Sequence, residues 1–170
     1  MIMMSEKVAE VYLKSMRQRL RGLKTLADRA LSQVKDEELS IEIDDESNSI
    51  TILMKHVAGN MTTLWTRPLA PAEEWPARHR DLEFTLTNED TRIAVNKSWN
   101  NAWEAIFKTL DGLKERDLLE TMKIRGNDSA LIEVLNSQYS HYAVHVGQII
   151  FLAKHFRGRD WTSLSIPKKR

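Results

Sequence analysis

The sequence predicts an all-α protein, and three observations support this fold class. Four long segments carry apolar residues at alternating spacings of three and four, which is the pattern of amphipathic helices. Strand-like alternation is scarce, and the chain contains no internal repeat. Four such helices favour a four-helix bundle. At 170 residues the chain is expected to form a single domain over residues 1–170.

The first two predicted helices cover residues 5–35 and 49–66. A continuous apolar seam marks the first helix. The second is expected to take its N-cap from Ser47-Asn48-Ser49, because a side-chain oxygen there can accept a hydrogen bond from an unpaired backbone N–H. Gly59 lies inside the second helix, where a glycine costs about 1 kcal/mol of stability relative to alanine. We therefore expect a neighbouring helix to approach closely at Gly59.

The other two predicted helices lie in the second half of the chain. The sequence Thr87-Asn88-Glu89-Asp90 resembles a capping box, with Asp in place of the usual Glu or Gln, and is expected to open the third helix. Asp128 or Ser129 is expected to cap the last helix, which extends to about His155. The bundle therefore has its longest connection between the second and third helices.

That connection, Leu69–Leu86, reads as a long loop, and long ordered loops are often functional. It carries the charged residues Arg78, Arg80, Asp81 and Glu83. The favoured interpretation is that Asp81 and Glu83 form ion pairs with basic residues and hold the loop in place. The alternative is that these side chains reach a functional site, where they orient an anionic substrate or move a proton.

Composition excludes several classes of protein. Lys+Arg 25 against Asp+Glu 24 gives a net charge of +1, so nucleic acid is not an expected partner. No apolar run approaches the ~20 residues that span a bilayer, and no secretory signal is evident, so we expect a cytoplasmic protein without a membrane partner. Cysteine is absent, which excludes disulfides, thiolate ligands and a cysteine nucleophile. Any thiol chemistry would need an external thiol.

Three histidines form a candidate metal site. His141 and His145 stand four residues apart in the last predicted helix, so their side chains point to the same side. His56 lies at the edge of the buried face of the second helix and is the predicted third ligand. Taken alone, a histidine on an apolar face is more often a core residue than a ligand. The combination strengthens the case for metal binding without settling it, because helical bundles build metal sites from side chains on facing helices.

A band of polar residues interrupts the apolar seam of the last helix around this histidine pair. Buried polar groups cost free energy unless a partner satisfies them. Hydrogen-bond partners that fix the imidazole tautomers are a common feature of histidine metal sites. Ordinary hydrogen bonding between helices is the alternative role for the same side chains. The candidates are Asn60, Gln138, Tyr142 and Gln148.

Several short motifs resemble those of the DinB/YfiT-like superfamily. KHVAGN at Lys55–Asn60, preceded by NSI at Asn48–Ile50, resembles its second-helix motif, and HYAVHVGQI at His141–Ile149 resembles its last-helix HxxxH motif. RDLEF at Arg80–Phe84 and LSIP at Leu164–Pro167 resemble a bacterial branch of unknown function within that superfamily. The chain departs from the branch where Ala-Pro-Ala replaces a glycine turn early in the long loop.

The resemblance implies a DinB/YfiT-type four-helix bundle, commonly a homodimer, in which three histidines bind a divalent metal ion. Carried over by position, the ligands are His56, His141 and His145. Three imidazoles favour zinc or nickel, while iron, copper and manganese stay open. Three neutral protein ligands also leave a coordination position open, which is typical of catalytic sites.

Two functions follow as hypotheses. The first is a metal-dependent transferase or hydrolase that resembles the thiol-dependent S-transferases of the superfamily and activates a low-molecular-weight thiol, or water, for attack on a small-molecule substrate. The second is a non-catalytic helical module for binding or stress response, whose metal site is structural or vestigial. Activity that depends on added thiol distinguishes the transferase from the hydrolase, and no activity with metal bound favours the module.

Overall fold

A computed structural model describes residues 2–124 and 126–166 of the protein, and this part of the chain is mostly helical. Pro167, the last residue of the LSIP motif, lies outside the described residues. The long helices are α1 (Ile2–Leu31), α2 (Ile50–Trp65), α4 (Arg92–Gly112) and α5 (Leu131–Arg157), and the short elements are α3 (Arg80–Glu83), β1 (Thr121–Ile124) and β2 (Asn127–Ala130). None of the described helices combines the length and the apolar character needed to cross a membrane.

The long helices pack in a closed order. Helix α2 contacts α4 and α5, and helix α1 contacts the same two helices. A single apolar cluster fills the space between them, and its largest fully buried side chains are Trp65, Trp99, Trp103 and Tyr142. Burial of apolar surface in this cluster, aliphatic and aromatic alike, is the main favourable contribution to folding.

The first two helices follow their sequence predictions. Buried residues in α1 recur every three, four or seven positions at Leu13, Met16, Leu20 and Ala27, which confirms the apolar seam. The N-cap of α2 falls within the predicted Ser47-Asn48-Ser49, and the structure identifies it as Ser49, whose Oγ atom accepts a hydrogen bond from the Ile52 N–H at 3.3 Å.

The third long helix begins later than predicted. Helix α4 starts at Arg92, and its N-cap is Thr91, whose Oγ1 atom accepts a hydrogen bond from the Ala94 N–H. The predicted cap forms a separate turn in which the Asp90 carboxylate accepts a hydrogen bond from the Thr87 N–H at 2.8 Å. The same carboxylate binds the Lys55 ammonium of α2 at 2.8 Å, so this tertiary ion pair holds the turn outside the helix.

The cap predicted for the last helix is also wrong. Asp128 and Ser129 lie in β2, where they pair with residues of β1 in a two-stranded antiparallel hairpin. Helix α5 therefore begins after Ala130, whose backbone N–H donates to the Glu133 carboxylate at 3.1 Å. The hairpin turn contains Gly126 at a φ of 83°, a left-handed conformation that favours glycine.

A buried chain of hydrogen bonds joins α2 to α5. The Trp65 indole N–H donates to the Tyr142 hydroxyl at 2.8 Å, and that hydroxyl donates to Asn60 Oδ1 at 2.8 Å. Burial raises the pKa of Tyr142, so the hydroxyl keeps its proton and remains a donor. The chain satisfies three polar groups inside an apolar interior.

We predict that Tyr142→Phe lowers the free energy of unfolding by about 1–3 kcal/mol, because the Trp65 N–H and the Asn60 oxygen lose their buried partner. Urea denaturation followed by circular dichroism measures the change. Tyr139→Phe on the same helix is the control, since Tyr139 is only half-buried, and it should change stability far less. Equal stabilities of the two variants would contradict the assigned role of the hydrogen-bond chain.

Candidate metal centre

The three predicted histidines converge, because α2 packs against α5 at the level of the HxxxH pair. The Nε2 atom of His141 lies 3.2 Å from Nε2 of His56 and 3.0 Å from Nε2 of His145. One ligand atom from each residue falls within 4.8 Å of the other two. The ring planes of the three pairs are nearly perpendicular, at 88°, 76° and 83°. Three nitrogens therefore surround one small volume.

The spacing of these nitrogens fits one metal ion. Histidine nitrogens that bind a tetrahedral ion at ~2.0–2.1 Å lie ~3.3 Å from one another. The two measured Nε2–Nε2 distances, 3.2 and 3.0 Å, are close to that value. The three histidines could bind a metal ion, and sites made only of imidazole are used for zinc, nickel, copper and iron alike.

The outer nitrogens of two imidazoles are held by hydrogen-bond acceptors. Nδ1 of His56 lies 3.0 Å from Oε2 of Glu83, and Nδ1 of His145 lies 2.8 Å from Oε1 of Gln148. An ionised carboxylate and an amide oxygen only accept, so both histidines carry their proton on Nδ1 when neutral. Nε2 of each ring is then free of a proton and can bind a metal ion.

Glu83 is itself fixed by Arg78. The Nε and Nη2 atoms of Arg78 each lie 2.7 Å from one oxygen of the Glu83 carboxylate, in a two-point contact. The Glu83 residue is 8% exposed, so this charge depends on its partners for compensation. A connected series of contacts thus extends from Arg78 through Glu83 to His56.

The surroundings of His56 keep its imidazole neutral. Burial is the largest influence and lowers its pKa, the hydrogen bond to Glu83 raises it, and the nearby His145 lowers it further. The net effect is a pKa below the ordinary value, so the ring is neutral at neutral pH, with a single proton. A neutral imidazole is the form that binds metal.

Gly59 explains how a carboxylate comes so close to α2. A Cβ atom added at this glycine would lie 2.8 Å from Cδ of Glu83 and closer still to Oε1. The expectation that a neighbouring helix approaches Gly59 is confirmed in part: the helix is the single-turn α3, and the group in contact is the side chain of Glu83. Only glycine leaves enough room for the carboxylate beside His56.

The predicted supporting residues lie in different places. Gln148 contacts His145, as described above. Asn60 and Tyr142 belong to the hydrogen-bond chain that includes Trp65, and the Tyr142 ring also lies 5.5 Å from the ring of His141. The Oε1 atom of Gln138 is buried without a hydrogen-bond partner among the described residues.

Sequence reasoning found the ion pair of Glu83 but missed its contact with a histidine. The favoured interpretation placed Glu83 in a pair with a basic residue, and Arg78 is that residue. The available signal was Gly59, a costly helical glycine three residues after His56, which indicated that some group approaches α2 beside the histidine. The other two histidines, His79 and His155, are exposed on the surface.

A family model described as a protein of unknown function (DUF1572) matches residues 7–170. The matched region contains all three clustered histidines and the loop that carries Arg78 and Glu83. No curated protein and no solved structure matched the chain.

We predict that Gly59→Ala weakens zinc binding about 10–100-fold, the range typical when a partner of a ligating histidine is displaced, because the new methyl group would overlap the Glu83 carboxylate. Competition against a chromophoric chelator measures the dissociation constant.

The matched control for that measurement is Gly22→Ala. A Cβ at Gly22 in α1 meets nothing within 4 Å, so this variant should gain about 0.5–1 kcal/mol of stability and keep its zinc affinity. If both glycine variants bound zinc like the unmodified protein, the contact between Glu83 and His56 would have no part in the metal site.

Proposed function

The chain belongs to the DUF1572 family of proteins of unknown function, and from its histidine cluster we propose that it is a divalent-metal-dependent enzyme. His56, His141 and His145 would hold the ion. A bound divalent ion supplies Lewis-acid chemistry, because it lowers the pKa of water and ionises a thiol. The proposed reaction is the attack of an external thiol, or of water, on a small-molecule electrophile.

One observation carries this proposal. The outer nitrogens of His56 and His145 face the acceptors Glu83 and Gln148, so the inner nitrogens are left to bind a common ion. Core histidines that only satisfy one another would not need two acceptors aligned behind two of the three rings. Three neutral protein ligands also leave a position for a further ligand, as in catalytic zinc sites.

The protein's own residues would orient the ligands and limit the access of water. Arg78 neutralises Glu83, and Glu83 fixes the ring of His56. The aromatic ring of Phe84 lies 5.0 Å from the His56 ring and covers part of it. A shielded site strengthens electrostatic interactions with a reacting group.

An external thiol fits the composition of the chain, which has no cysteine to serve as a nucleophile. The motif resemblance to the thiol-dependent S-transferases of the DinB/YfiT-like superfamily supports the same choice. On that resemblance, and on the closed order in which α1, α4, α2 and α5 contact one another, we further infer a four-helix bundle of the DinB/YfiT type that acts as a homodimer.

We predict that untagged protein, purified without chelator, carries about one divalent ion per chain by elemental analysis, since one cluster supplies the ligands. Single alanine replacements of His56, His141 and His145 should each remove the ion. His79→Ala and His155→Ala are the controls, because both side chains are exposed and should retain full occupancy. Loss of metal in the controls but not in the cluster variants would refute the proposed ligand set.

We further predict that the metal-loaded protein turns over an aryl halide only when a small thiol is added, whereas a hydrolase would cleave esters without thiol. Product formation with and without thiol, followed by absorbance, separates the two reactions. His145→Ala should abolish either activity and His155→Ala should not. If the metal-loaded protein were inactive across thiols, aryl halides and esters, the non-catalytic helical module would be the better interpretation.

A further inference from the structure

A pocket of about 460 Å³ adjoins the histidine cluster. It lies between the segment 43–48, the first part of α2 and the middle of α5, and one of its lining residues is Gln148, the side chain that contacts His145. Leu53, which also lines the pocket, lies one helical turn from His56. The volume is within the ~300–1,000 Å³ range of small-molecule sites.

Gly147 gives this pocket part of its room. It lies in the interior of α5, two residues after His145, and a Cβ atom added there would meet nothing within 4 Å. Glycine in a helix interior lowers stability relative to alanine, and at Gly59 the close contact with Glu83 offsets this loss. At Gly147 no described residue packs against the glycine. The absence of a side chain there instead leaves open space in a pocket next to the proposed metal ligand His145.

The lining indicates the chemistry of the occupant. Five of the ten lining residues are large and apolar, and two of these, Val144 and Phe151, are 61% and 64% exposed and lie two turns apart on α5. Among the described residues that line the pocket, Glu46 is the only charged one, and the same segment also carries Asp44 and Asp45. An anion would be repelled here, while a neutral or cationic apolar molecule would be accepted.

We propose that this pocket binds the apolar body of the small-molecule substrate, and that the substrate carries no negative charge. The inference rests on the proposed function, because the pocket would present the substrate to a nucleophile activated at the neighbouring histidines. Gly147 sets the size of the group that fits, and Glu46 selects against anions. Among residues already described, only Gln148 belongs to both the pocket and the metal centre.

Two dyes with the same aromatic skeleton test the pocket. N-phenyl-1-naphthylamine is neutral, and 8-anilinonaphthalene-1-sulfonate adds a negative charge; both fluoresce when they bind an apolar site. We expect the neutral dye to bind and the sulfonate to bind at least about tenfold more weakly. Binding of the sulfonate as tight as that of the neutral dye would overturn the charge selectivity.

Gly147→Leu should abolish binding of the neutral dye, because the leucine side chain would extend into the pocket that Gly147 lines, where its Cβ atom meets nothing within 4 Å. Gly22→Leu is the matched control, since Gly22 is also helical and open but lies on α1 away from the pocket. Phe151→Ser provides a second variant that removes apolar lining instead of adding volume, so a folding defect in one variant does not leave the proposal without a test.

A second apolar groove could bind the dye instead. It lies between the start of α1, the segment 114–119 and Ile132, has a volume of about 1010 Å³ and shares no lining residue with the metal centre. Leu119→Glu would disrupt it, since Leu119 is 78% exposed and lines this groove. If Leu119→Glu abolished dye binding and Gly147→Leu did not, the proposed pocket would be wrong.

The effect of bound metal on dye fluorescence tests the pocket separately from the proposed metalloenzyme function. Copper(II) bound at the histidines should quench the fluorescence of a dye in the adjoining pocket, whereas zinc should not, and His141→Ala should remove the quenching but keep dye binding. If Gly147→Leu abolished dye binding but no variant bound metal, the pocket would be supported and the proposed metalloenzyme function would be wrong. If the protein bound metal but Gly147→Leu left dye binding unchanged, only the proposed pocket would be wrong.

Discussion

The contact between the Glu83 carboxylate and Nδ1 of His56 is the interaction on which the histidine cluster depends. It fixes the proton on the outer nitrogen of a buried ring, and so decides that the inner nitrogen can bind metal. The Arg78 guanidinium compensates the charge of the buried Glu83 carboxylate, and the absence of a side chain at Gly59 leaves space for that carboxylate. Three residues outside the histidine cluster, Glu83, Arg78 and Gly59, therefore determine which nitrogen of His56 carries the proton.

The long helices could be predicted from the sequence because their signal is repeated many times. The apolar seam of α1 and the HxxxH spacing in α5 each follow from the 3.6-residue period, and the structure brings His56 to the same place. The helical class and the proximity of the three histidines are confirmed by the structure. Metal binding, the relationship to the DinB/YfiT-like superfamily and catalytic activity stay predictions.

The features that could not be predicted from the sequence depend on tertiary contacts, which leave no periodic pattern of residues in the sequence. Helix α3 is a single turn, too short for an apolar pattern, yet it supplies Glu83. The predicted capping box over Thr87–Asp90 failed because Lys55 from another helix binds the Asp90 carboxylate. The predicted cap at Asp128 failed because backbone pairing placed the residue in a strand. In each case a distant partner competed with a local preference, and the distant partner determined the structure.

The loop between α2 and α4 is fastened to two consecutive residues of α2. Lys55 binds the Thr85 carbonyl at 2.7 Å and the Asp90 carboxylate, while His56 next to it binds Glu83. Local opening of this segment would break both attachments together and leave His56 without its orienting acceptor. Reciprocally, an ion that selects the oriented ring stabilises the docked segment by the same free energy. If the cluster binds an ion, its occupancy and the docking of a loop that supplies none of the three histidines would be coupled equilibria, each favouring the other to the same extent.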